Sequence, residues 1–426
     1  MIIKRIKVKN FKSFKDMEIE LGNLNILIGP NASGKSNFLN ILKFLKDLVD
    51  GGLENAISLQ GGGNYIKNIY LESNDNVSIE IEFDIDLIFP DFYLGPETDK
   101  ITSKIKSVCY EIEINIEDDG NNIKVIQETL ETKFYIYKIL EKNETPENLE
   151  KLGDYEIIIK NLNGKVNTER NLNSSRIKED QIIFNFIFSD KYDREYNLTE
   201  NELILNAFPF NNLLFIKNSF MNLSFYDINP KPAKQFAIIS GKNELESNGS
   251  NLAIILRKVL NNEEERDKFS LLLQDILPFV DEVSVERLAE KYLYTSLKEI
   301  YSDEKFIPAS LISDGTINII TLIIILYFEK NDVIVIEEPE RNIHPYLISK
   351  VIDIMKDVAT RFNKQIIIST HNPEIVKYAG IDNIFFIRRD DSGFSNVTKP
   401  LNDEEIKTFL ENDIGIDELF LQNLLK

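Results

Sequence analysis

The sequence predicts an α/β fold with a mixed central sheet, an antiparallel β subdomain and a helical insertion. At 24–28 an apolar run precedes a glycine-rich loop and a stretch of apolar residues at helical spacing, which indicates a strand, a turn and a helix. Two β-branched runs, 333–336 and 366–368, enclose a predicted helix over 346–361, so they form a βαβ unit with parallel strands. Between these two parts of the chain, period-two alternation predicts antiparallel hairpins.

The composition excludes several classes of protein. The 426 residues, 43% of them apolar, suffice for a large core, and the length favours two or three domains. The single cysteine, Cys109, excludes an intrachain disulfide framework and a thiolate metal cluster. The first eight residues alternate like a strand rather than a signal peptide, and the longest apolar stretch, 317–328, is too short to span a bilayer. We therefore expect a soluble, cytoplasmic protein with no membrane partner.

Charge is distributed unevenly along the chain. The net charge of −21 argues against broad, salt-dependent affinity for DNA. Residues 1–50 nevertheless carry nine basic residues against five acidic ones, which would allow a local strip that faces DNA. The basic residues are Lys4, Arg5, Lys7, Lys9, Lys12, Lys15, Lys35, Lys43 and Lys46. The alternative, which we favour, is the solvated face of an edge strand.

The N-terminal elements follow one another closely. Strands are expected at 2–9, 17–21 and 24–28. The helix after the glycine-rich loop is expected to end at Gly51-Gly52, because glycine commonly follows the last turn of a helix.

Alternating runs in the middle of the chain predict a series of antiparallel strands. These runs are 77–83, 108–114, 134–137 and 155–159. The pairs Asp119-Gly120 and Asn163-Gly164 are typical of tight hairpin turns. Farther on, apolar residues at helical spacing predict an amphipathic helix over 251–277, and no sustained heptads indicate a coiled coil.

The glycine-rich loop is a complete G-x-x-x-x-G-K-[ST] phosphate loop. It consists of Gly29, Pro30, Asn31, Ala32, Ser33, Gly34, Lys35 and Ser36, with Asn37 next in the helix. Such a loop points backbone N–H groups at phosphate oxygens, and the helix adds its positive N-terminal end. Lys35 can reach the β- and γ-phosphates, and Ser36 can ligate Mg²⁺. A chance glycine turn is the alternative, which the correct flanking strand and helix disfavour.

Two acidic residues end the strand at 333–336. Glu337 and Glu338 would lie at the carboxyl edge of the sheet, beside the phosphate loop. The register of the strand assigns Glu337 to the Mg²⁺ shell and Glu338 to the attacking water. The alternative is a solvated strand end.

The chain has only two histidines, and both follow predicted sheet strands. His371, just past the run at 366–368, can reach a γ-phosphate and respond to its loss. His344 lies six residues beyond Glu338, and for it a structural role is as plausible as a phosphate-linked one.

Three further features are weaker. Ser313, Asp314 and Gly315 precede the apolar helix at 317–328, where they could form an anion site or a simple N-cap. Gln60 could bridge Mg²⁺ and water or be an ordinary loop residue. The turn at 10–14 could approach a nucleotide, although its two phenylalanines are better explained as core residues.

Taken in order, these motifs resemble the ABC-type ATPase head shared by the SMC, RecF and OLD (overcoming lysogenization defect) families. The resemblance covers about 1–85 and 230–390. The N-terminal lobe is matched by IKRIKVKNFKSFKDMEIEL and NILIGPNASGKSNFL, the signature motif by LISDGT, Walker B with the D-loop by VIVIEEPERNIHP, and the H-loop by IIISTHNPEIV. Three details of these motifs, Ser-Asp-Gly-Thr in the signature, Glu-Glu-Pro-Glu in Walker B and the Asn-Ile-His-Pro that follows it, resemble the OLD-like branch (AAA15/AAA_21), which includes AbiEii-associated and antiphage-defence ATPases.

The resemblance implies a P-loop ATPase head with three segments. Residues 1–85 would be the N-terminal lobe with Walker A, 86–230 a strand-rich insertion with a short helical lid, and 231–426 the C-terminal lobe. The implied ligands are ATP and Mg²⁺, with Lys35, Ser36, Glu337 and Gln60 serving phosphate and metal. Glu337 stands where the family usually has aspartate.

The resemblance also implies a catalytic arrangement. Glu338 would be the catalytic carboxylate and His371 the switch histidine. The signature motif of the family acts in trans, so Ser313 and Gly315 would contact ATP held by a second subunit, in a homodimer or a larger homo-oligomer.

Three functions follow as hypotheses. The first is an ATPase subunit that regulates a separately encoded effector, such as a nuclease in antiphage defence, because 391–426 is too short for the TOPRIM nuclease domain of OLD proteins. The second is a RecF-like ATPase that binds DNA in repair. The third is an oligomeric scaffold in which ATP is mainly structural.

Overall fold

A computed structural model describes residues 1–68, 70–71, 75–88, 92–93, 100–117, 120, 122–139, 149–176, 196–207, 214–239 and 242–400. The chain divides into two compact units that interleave along the sequence. Unit 1 comprises Met1–Leu21, Ser36–Asn222 and Arg389–Asn396, and unit 2 comprises Gly22–Lys35, Leu223–Arg388 and Val397–Lys426. Each unit therefore draws on distant parts of the chain.

Unit 1 contains, within the described residues, a nine-stranded antiparallel sheet. Its strands are β1 (Ile2–Phe11), β2 (Phe14–Glu20), β4 (Val77–Asp84), β5 (Phe92–Tyr93), β6 (Lys100–Ile116), β7 (Ile123–Ile139), β8 (Leu149–Leu162), β9 (Lys165–Asn173) and β10 (Tyr196–Asn197). The order is β10-β9-β8-β7-β6-β4-β1-β2, and β5 pairs with β6. The four alternating runs predicted as strands are confirmed in β4, β6, β7 and β8, where alternate side chains are buried because successive residues face opposite sides of a sheet.

The turns of this sheet follow the sequence where they are described. Asn163 and Gly164 have φ values of 49° and 86° and join β8 to β9, as predicted for a two-residue hairpin turn. The second predicted turn, at 119–120, falls partly outside the described residues.

The helix after the phosphate loop differs from the prediction. It is α1 (Lys35–Leu59), and its backbone is broken at Gly52, where φ is 79° and ψ is 176°. The prediction of an end at Gly51-Gly52 located the break, but a second helical run continues to Leu59. Phe44 of this helix packs on Phe11 of β1, with ring centroids 5.8 Å apart.

Unit 2 is built around a parallel sheet. Its strands are β3 (Leu24–Ile28), β11 (Leu223–Tyr226), β12 (Ala237–Ile238), β13 (Val280–Leu288), β14 (Tyr292–Glu299), β15 (Phe306–Pro308), β16 (Val333–Glu337), β17 (Gln365–Thr370), β18 (Ile384–Arg389) and β19 (Ser395–Thr398). Its helices are α3 (Pro230–Ala233), α4 (Leu252–Asn261), α5 (Glu263–Ile276), α6 (Asp314–Ile323), a π-helical turn (Ile324–Phe328), α7 (Pro345–Arg361) and α8 (Pro373–Ala379). Strands β18 and β19 cross the boundary between the units. The remaining α-helix of the described chain, α2 (Leu214–Met221), lies in unit 1, and short 3-10 helices occur at Gly63–Tyr65, Ala309–Leu311 and Ile381–Asn383.

Two sheets are described in these elements. One has six strands in the order β11-β16-β17-β3-β18-β19, and the smaller has the order β12-β14-β13 with β15 paired to β14. The pairs β11–β16, β16–β17, β17–β3 and β3–β18 are parallel. The βαβ unit predicted at the C-terminal side is confirmed as β16, α7 and β17, and the mixed α/β fold is confirmed with it.

Burial explains why the central strands read as continuous apolar runs. β3 and β17 are buried along their whole length, because both faces of a parallel sheet are covered. One apolar cluster joins the sheet to α4, α5, α6 and α7.

The amphipathic helix predicted over 251–277 is two helices. Asn262 separates α4 from α5, and its side chain accepts a hydrogen bond from the backbone N–H of Glu265 at 3.2 Å. Three glutamates in the first turn favour this new start, since acids stabilise the N-terminal end of a helix. No described helix combines the length and apolar character needed to cross a membrane.

Candidate functional site

Three polar loops meet at one edge of the parallel sheet of unit 2. The phosphate loop follows β3, the acidic residues end β16, and His371 follows β17. Thr370 pairs with Ile28 and Glu337 with Ser369, so the three neighbouring strands finish at the same level. The structure thus brings the phosphate loop to the same edge as two motifs that follow it by about 300 residues or more in the sequence.

The phosphate loop has the backbone that its glycines allow. Gly34 has a φ of 119°, and Ala32 has a φ of 62°. A Cβ atom at Gly29 would lie 2.1 Å from the carbonyl oxygen of Ile387, so only glycine fits there. The shape of the loop therefore depends on the residues that the motif specifies.

Lys35 is 9% exposed and lies against this loop. Its Nζ donates to the carbonyl oxygens of Gly29 and Pro30 at 2.7 and 2.9 Å. Burial lowers the pKa of Lys35, and the charges of Glu338 and Glu340 oppose that effect. A polyanion bound in the loop would supply the counter-charge that the buried ammonium group lacks.

Glu338 is held both by its backbone and by its side chain. Its φ of 46° is unusual for a non-glycine residue, and its backbone N–H donates to Ser369 O at 2.8 Å. Its Oε1 lies 2.7 Å from Nδ1 of His371, and its Oε2 lies 3.4 Å from Nη2 of Arg341. The two residues predicted to be catalytic are therefore in direct contact.

Glu338 and His371 line a cavity of about 350 Å³. The lining residues are Glu338, Glu340, Arg341, His371, Asn372 and Pro373. Nδ1 of His371 is engaged by Oε1 of Glu338. Nε2 is then the ring nitrogen that remains to meet a ligand.

Sequence reasoning missed Glu340. This residue is 8% exposed, and its Oε1 accepts a hydrogen bond from the hydroxyl of Thr370 at 2.5 Å. Its Oε2 has no partner among the described residues, and burial raises the pKa of Glu340. The signal was present in the sequence, because Glu340 is the third acid in the four residues that end β16.

The signature residues lie elsewhere in unit 2. Ser313 is the N-cap of α6, and its hydroxyl accepts a hydrogen bond from the backbone N–H of Thr316 at 3.1 Å. Asp314 forms an ion pair with Lys234. A Cβ atom at Gly315 would lie 2.5 Å from the carbonyl oxygen of Asn342. These residues do not line the cavity beside Glu338, and within this chain they serve as a cap and a close packing contact.

His344 has a local structural role. It is the N-cap of α7, and its Nδ1 accepts a hydrogen bond from the backbone N–H of Tyr346 at 3.2 Å. The two histidines are thus distinguished by the structure, since His371 contacts Glu338 and His344 starts a helix.

Gln60 lines a separate cavity in unit 1, with a volume of about 470 Å³. Its neighbours there are Lys12, Ser13, Asn37, Gly61, Tyr65, Lys67, Tyr70 and Arg389. Asn37 donates from its side chain to the hydroxyl of Ser13 at 2.8 Å, which ties the start of α1 to the turn between β1 and β2. Phe11 and Phe14 are fully buried, as expected for core residues.

The predicted metal ligands are a hydroxyl (Ser36), a carboxylate (Glu337) and an amide (Gln60). All three are oxygen donors, which suits Mg²⁺, an ion that usually keeps several waters and takes one or two protein carboxylates. Glu337 is half-buried at the end of β16. In the described part of the chain, no group of three histidine, cysteine or acidic side chains is arranged so that it could hold a metal ion.

The phosphate loop, the acidic strand end and the histidine on one parallel sheet define the class of an ABC-type P-loop ATPase of the SMC/RecF/OLD-like superfamily. The family model for the AAA ATPase domain AAA_15 matches residues 1–376, and the chain belongs to that family.

Curated relatives match in shorter regions. The OLD nuclease of Thermus scotoductus is 25% identical over 122 residues, which are 29% of this chain and 22% of that protein. Endonuclease GajA of Bacillus cereus is 32% identical over 106 residues, 25% of this chain and 16% of that protein. RecF of Lactococcus lactis is 44% identical over 46 residues, 11% of this chain and 13% of that protein. The matches therefore span less than a quarter of these relatives.

Solved structures of SMC heads also align with the chain. The SMC head domain from Thermotoga maritima covers 94% of this chain, and 99% of that structure is covered, at 14% identity and a TM-score of 0.41. An SMC head bound to the C-terminal winged-helix domain of ScpA covers 93% of this chain, and 98% of that structure is covered, at 13% identity and a TM-score of 0.46.

Proposed function

We propose that the protein binds ATP with Mg²⁺, hydrolyses the terminal phosphate and uses this cycle to control a homodimer. The observation that carries the proposal is the contact of Glu338 with His371 at the sheet edge that also carries the phosphate loop. A carboxylate that contacts a histidine, beside a loop built for phosphates, is the arrangement that activates a water for phosphoryl transfer.

The roles follow from the chemistry of each group. The loop from Gly29 to Asn37 holds the phosphates, and Lys35 exchanges its two loop carbonyls for phosphate oxygens. Ser36 and Glu337 would hold Mg²⁺, which would neutralise charge that develops on the phosphates. Glu338 orients or deprotonates the attacking water, and His371 senses whether the terminal phosphate is present.

The second half of the site comes from another copy of the chain. Ser313, Asp314 and Gly315 do not line the Glu338 cavity, and Ser313 is exposed, which suits contact with ATP held by a partner. Leu311, next to the signature, is 76% exposed, and Tyr346, near the D-loop, is 77% exposed. Large exposed side chains beside both motifs support an interface at this place.

The output of the cycle is control of a separately encoded effector, such as a nuclease in antiphage defence. The similarity to an OLD nuclease and to endonuclease GajA supports this part of the proposal. Co-purification of the protein with the product of an adjacent gene, lost in Lys35→Ala, is the expected result. Absence of any neighbouring nuclease or toxin gene would argue against it.

Steady-state hydrolysis of ATP tests the central claim. We expect hydrolysis that falls by about 10²–10⁴-fold in Glu338→Gln, while ATP binding persists, because only the general base is removed. Light scattering after size exclusion with ATP should show a stable dimer for Glu338→Gln and a monomer for Lys35→Ala. Brisk hydrolysis that survives in Glu338→Gln contradicts the assignment. If the unchanged protein hydrolyses ATP too slowly to measure but still forms the dimer, the result would favour an oligomeric scaffold in which ATP is mainly structural.

A RecF-like role in DNA binding is the second candidate, and the RecF match favours it. The basic strip gives it less support, because Arg5 pairs with Glu18, Glu80 and Glu82, and Lys4 also pairs with Glu82. A gel shift on duplex DNA with ATP at physiological salt separates the candidates. Binding there would support the RecF-like role, and no shift would end it.

A further inference from the structure

Arg341 links Glu338 to a segment outside the recognised motifs. Its Nη2 lies 3.4 Å from Oε2 of Glu338, and its Nη1 donates to Oδ1 of Asp227 at 2.8 Å. Since Oε1 of Glu338 already contacts His371, both carboxylate oxygens are engaged. A carboxylate held at both oxygens by two different side chains has a defined rotation about its last bond.

Asp227 is placed by the same parallel sheet. It follows β11, which pairs with β16 so that Tyr226 lies opposite Ile336. Asp227 is therefore level with the acidic end of β16, and its backbone N–H donates to Ser247 O at 2.9 Å. The sheet therefore fixes the position of Asp227, and Asp227 in turn holds the guanidinium group of Arg341.

The same segment holds the signature motif. After Asp227 the chain enters α3, whose two prolines and Asn229 cap make it a stiff turn. Lys234 directly follows α3 and forms the ion pair with Asp314 at the start of α6. Farther along α6, the buried side chain of Asn318 donates to the backbone carbonyl of Arg341. Arg341 is thus fixed from the signature helix and from segment 227–234.

We propose that Arg341 is a positioning residue for Glu338, and that segment 227–234 couples the orientation of this carboxylate to the signature helix. The proposal rests on the proposed hydrolysis of ATP. Movement of Asp314 shifts Lys234 and, through the stiff turn, Asp227 and the guanidinium of Arg341. Engagement of the signature by a second copy therefore changes how well Glu338 is aimed at water.

The test compares three substitutions under saturating ATP. Arg341→Met should lower kcat by about 10–100-fold, as a small misplacement of a catalytic group does, while the Kd for ATP changes less than about twofold. Arg341→Lys should recover part of kcat, because it keeps one charged donor. The kcat of Asp227→Asn should lie between that of the unchanged protein and that of Arg341→Met. Arg361→Met is the matched control, since Arg361 of α7 also pairs with a carboxylate, that of Asp357 at 2.7 Å, and its side chain is 77% exposed.

A purely structural role is excluded by two further readouts. Rates are divided by the fraction of protein that binds ATP, and thermal unfolding is measured for every variant. Lys234→Met should also lower kcat, and its effect should not add to that of Arg341→Met, because both act through one path.

The possible failures are distinguishable. Wild-type kcat in Arg341→Met, together with an inactive Glu338→Gln, overturns the positioning role alone. The positioning role is also overturned if the loss of kcat in Arg341→Met equals that in Arg361→Met, or if this loss is proportional to the loss of folded protein. It is overturned as well if Arg341→Lys recovers none of the lost kcat. Fully additive effects of Lys234→Met and Arg341→Met overturn the coupling. Absence of hydrolysis in the unchanged protein overturns the proposed function and this inference together.

Discussion

The antiparallel sheet of unit 1 and the parallel sheet of unit 2 carry charged residues in different places. In the sheet of unit 1, charges lie along the strands and are matched across them, as Arg5 of β1 is matched by Glu18, Glu80 and Glu82. At the parallel sheet of unit 2, charges lie beyond the strand ends, where Glu338 has an unusual backbone and Glu340 has one oxygen without a partner among the described residues. Antiparallel strands distribute their ends over two edges, whereas parallel strands collect theirs at one. The strained backbone of Glu338 and the unpartnered oxygen of Glu340, at the edge that carries the phosphate loop, suit a place that binds a ligand.

The largest effect should come from the phosphate loop. Lys35→Ala should weaken ATP binding by at least about 100-fold and abolish hydrolysis, because a charged hydrogen-bond donor to phosphate is lost. Lys364→Ala is the matched control, since Lys364 also donates to two carbonyl oxygens, of Leu326 and Glu329, and burial also lowers its pKa. Calorimetric titration with a non-hydrolysable ATP analogue measures both. Equal losses of ATP affinity in Lys35→Ala and Lys364→Ala would show that the sheet edge with the phosphate loop contributes no more to ATP binding than the rest of unit 2.

The core of unit 1 should respond in stability instead. Phe220 is fully buried and packs edge-on against Phe83 and Tyr110, with centroids 5.0 and 5.6 Å away. Phe220→Ala should lower the free energy of unfolding by about 3–5 kcal/mol, because it leaves a cavity. Leu162→Ala, at a site that is 45% exposed, should cost far less. Urea unfolding gives both values, and a small loss in Phe220→Ala would show that this packing is loose.

A buried acid in unit 1 should make stability depend on pH. Burial raises the pKa of Glu128 to about 7, although hydrogen bonds from the backbone of Ile204 and the hydroxyl of Tyr110 oppose the rise. Between the ordinary value of 4.5 and about 7, the folded state keeps a proton that the unfolded state has released. Stability is therefore fully present below this window and falls by about 2–4 kcal/mol as pH rises through it.

Glu128→Gln checks this contribution, because glutamine keeps the shape and does not titrate. Urea unfolding at pH 5 and pH 7.5 should show a smaller loss with rising pH for the variant than for the unchanged protein. Identical slopes would mean that Glu128 does not hold its proton in the folded state.

The sequence reveals those features that depend on neighbouring residues. The phosphate loop, the acids of β16 and the hairpin at Asn163-Gly164 could each be predicted from a short pattern of strand, turn and special residue. The sequence also predicted that Glu338 and His371 lie at the same edge of the sheet, because each of them directly follows a parallel strand. Their assigned roles in ATP hydrolysis remain predictions.

Contacts between distant segments could not be predicted. The pair of Asp227 and Arg341 depends on which strand lies beside β16, and no local pattern in the chain specifies that neighbour. The interleaving of the two units, with a boundary between Lys35 and Ser36, is likewise a property of tertiary contacts. The family resemblance implied three consecutive segments, a division that stays a prediction.

The smallest expected effect comes from Gly315 of the signature motif, and it separates two explanations of why this position is a glycine. Gly315→Ala should destabilise the protein by about 1–3 kcal/mol, because the new Cβ would press on the carbonyl oxygen of Asn342. Gly22→Ala is the control, since the space around Gly22 is open to a Cβ. If glycine is needed only for this packing, an ATP-dependent dimer of Gly315→Ala should form normally at a temperature where the variant is fully folded. If glycine is needed for contact with ATP on a partner, the folded variant should bind ATP and remain monomeric. Light scattering with ATP, with thermal unfolding measured in parallel, decides between them and shows whether unit 2 awaits a second chain as well as a nucleotide.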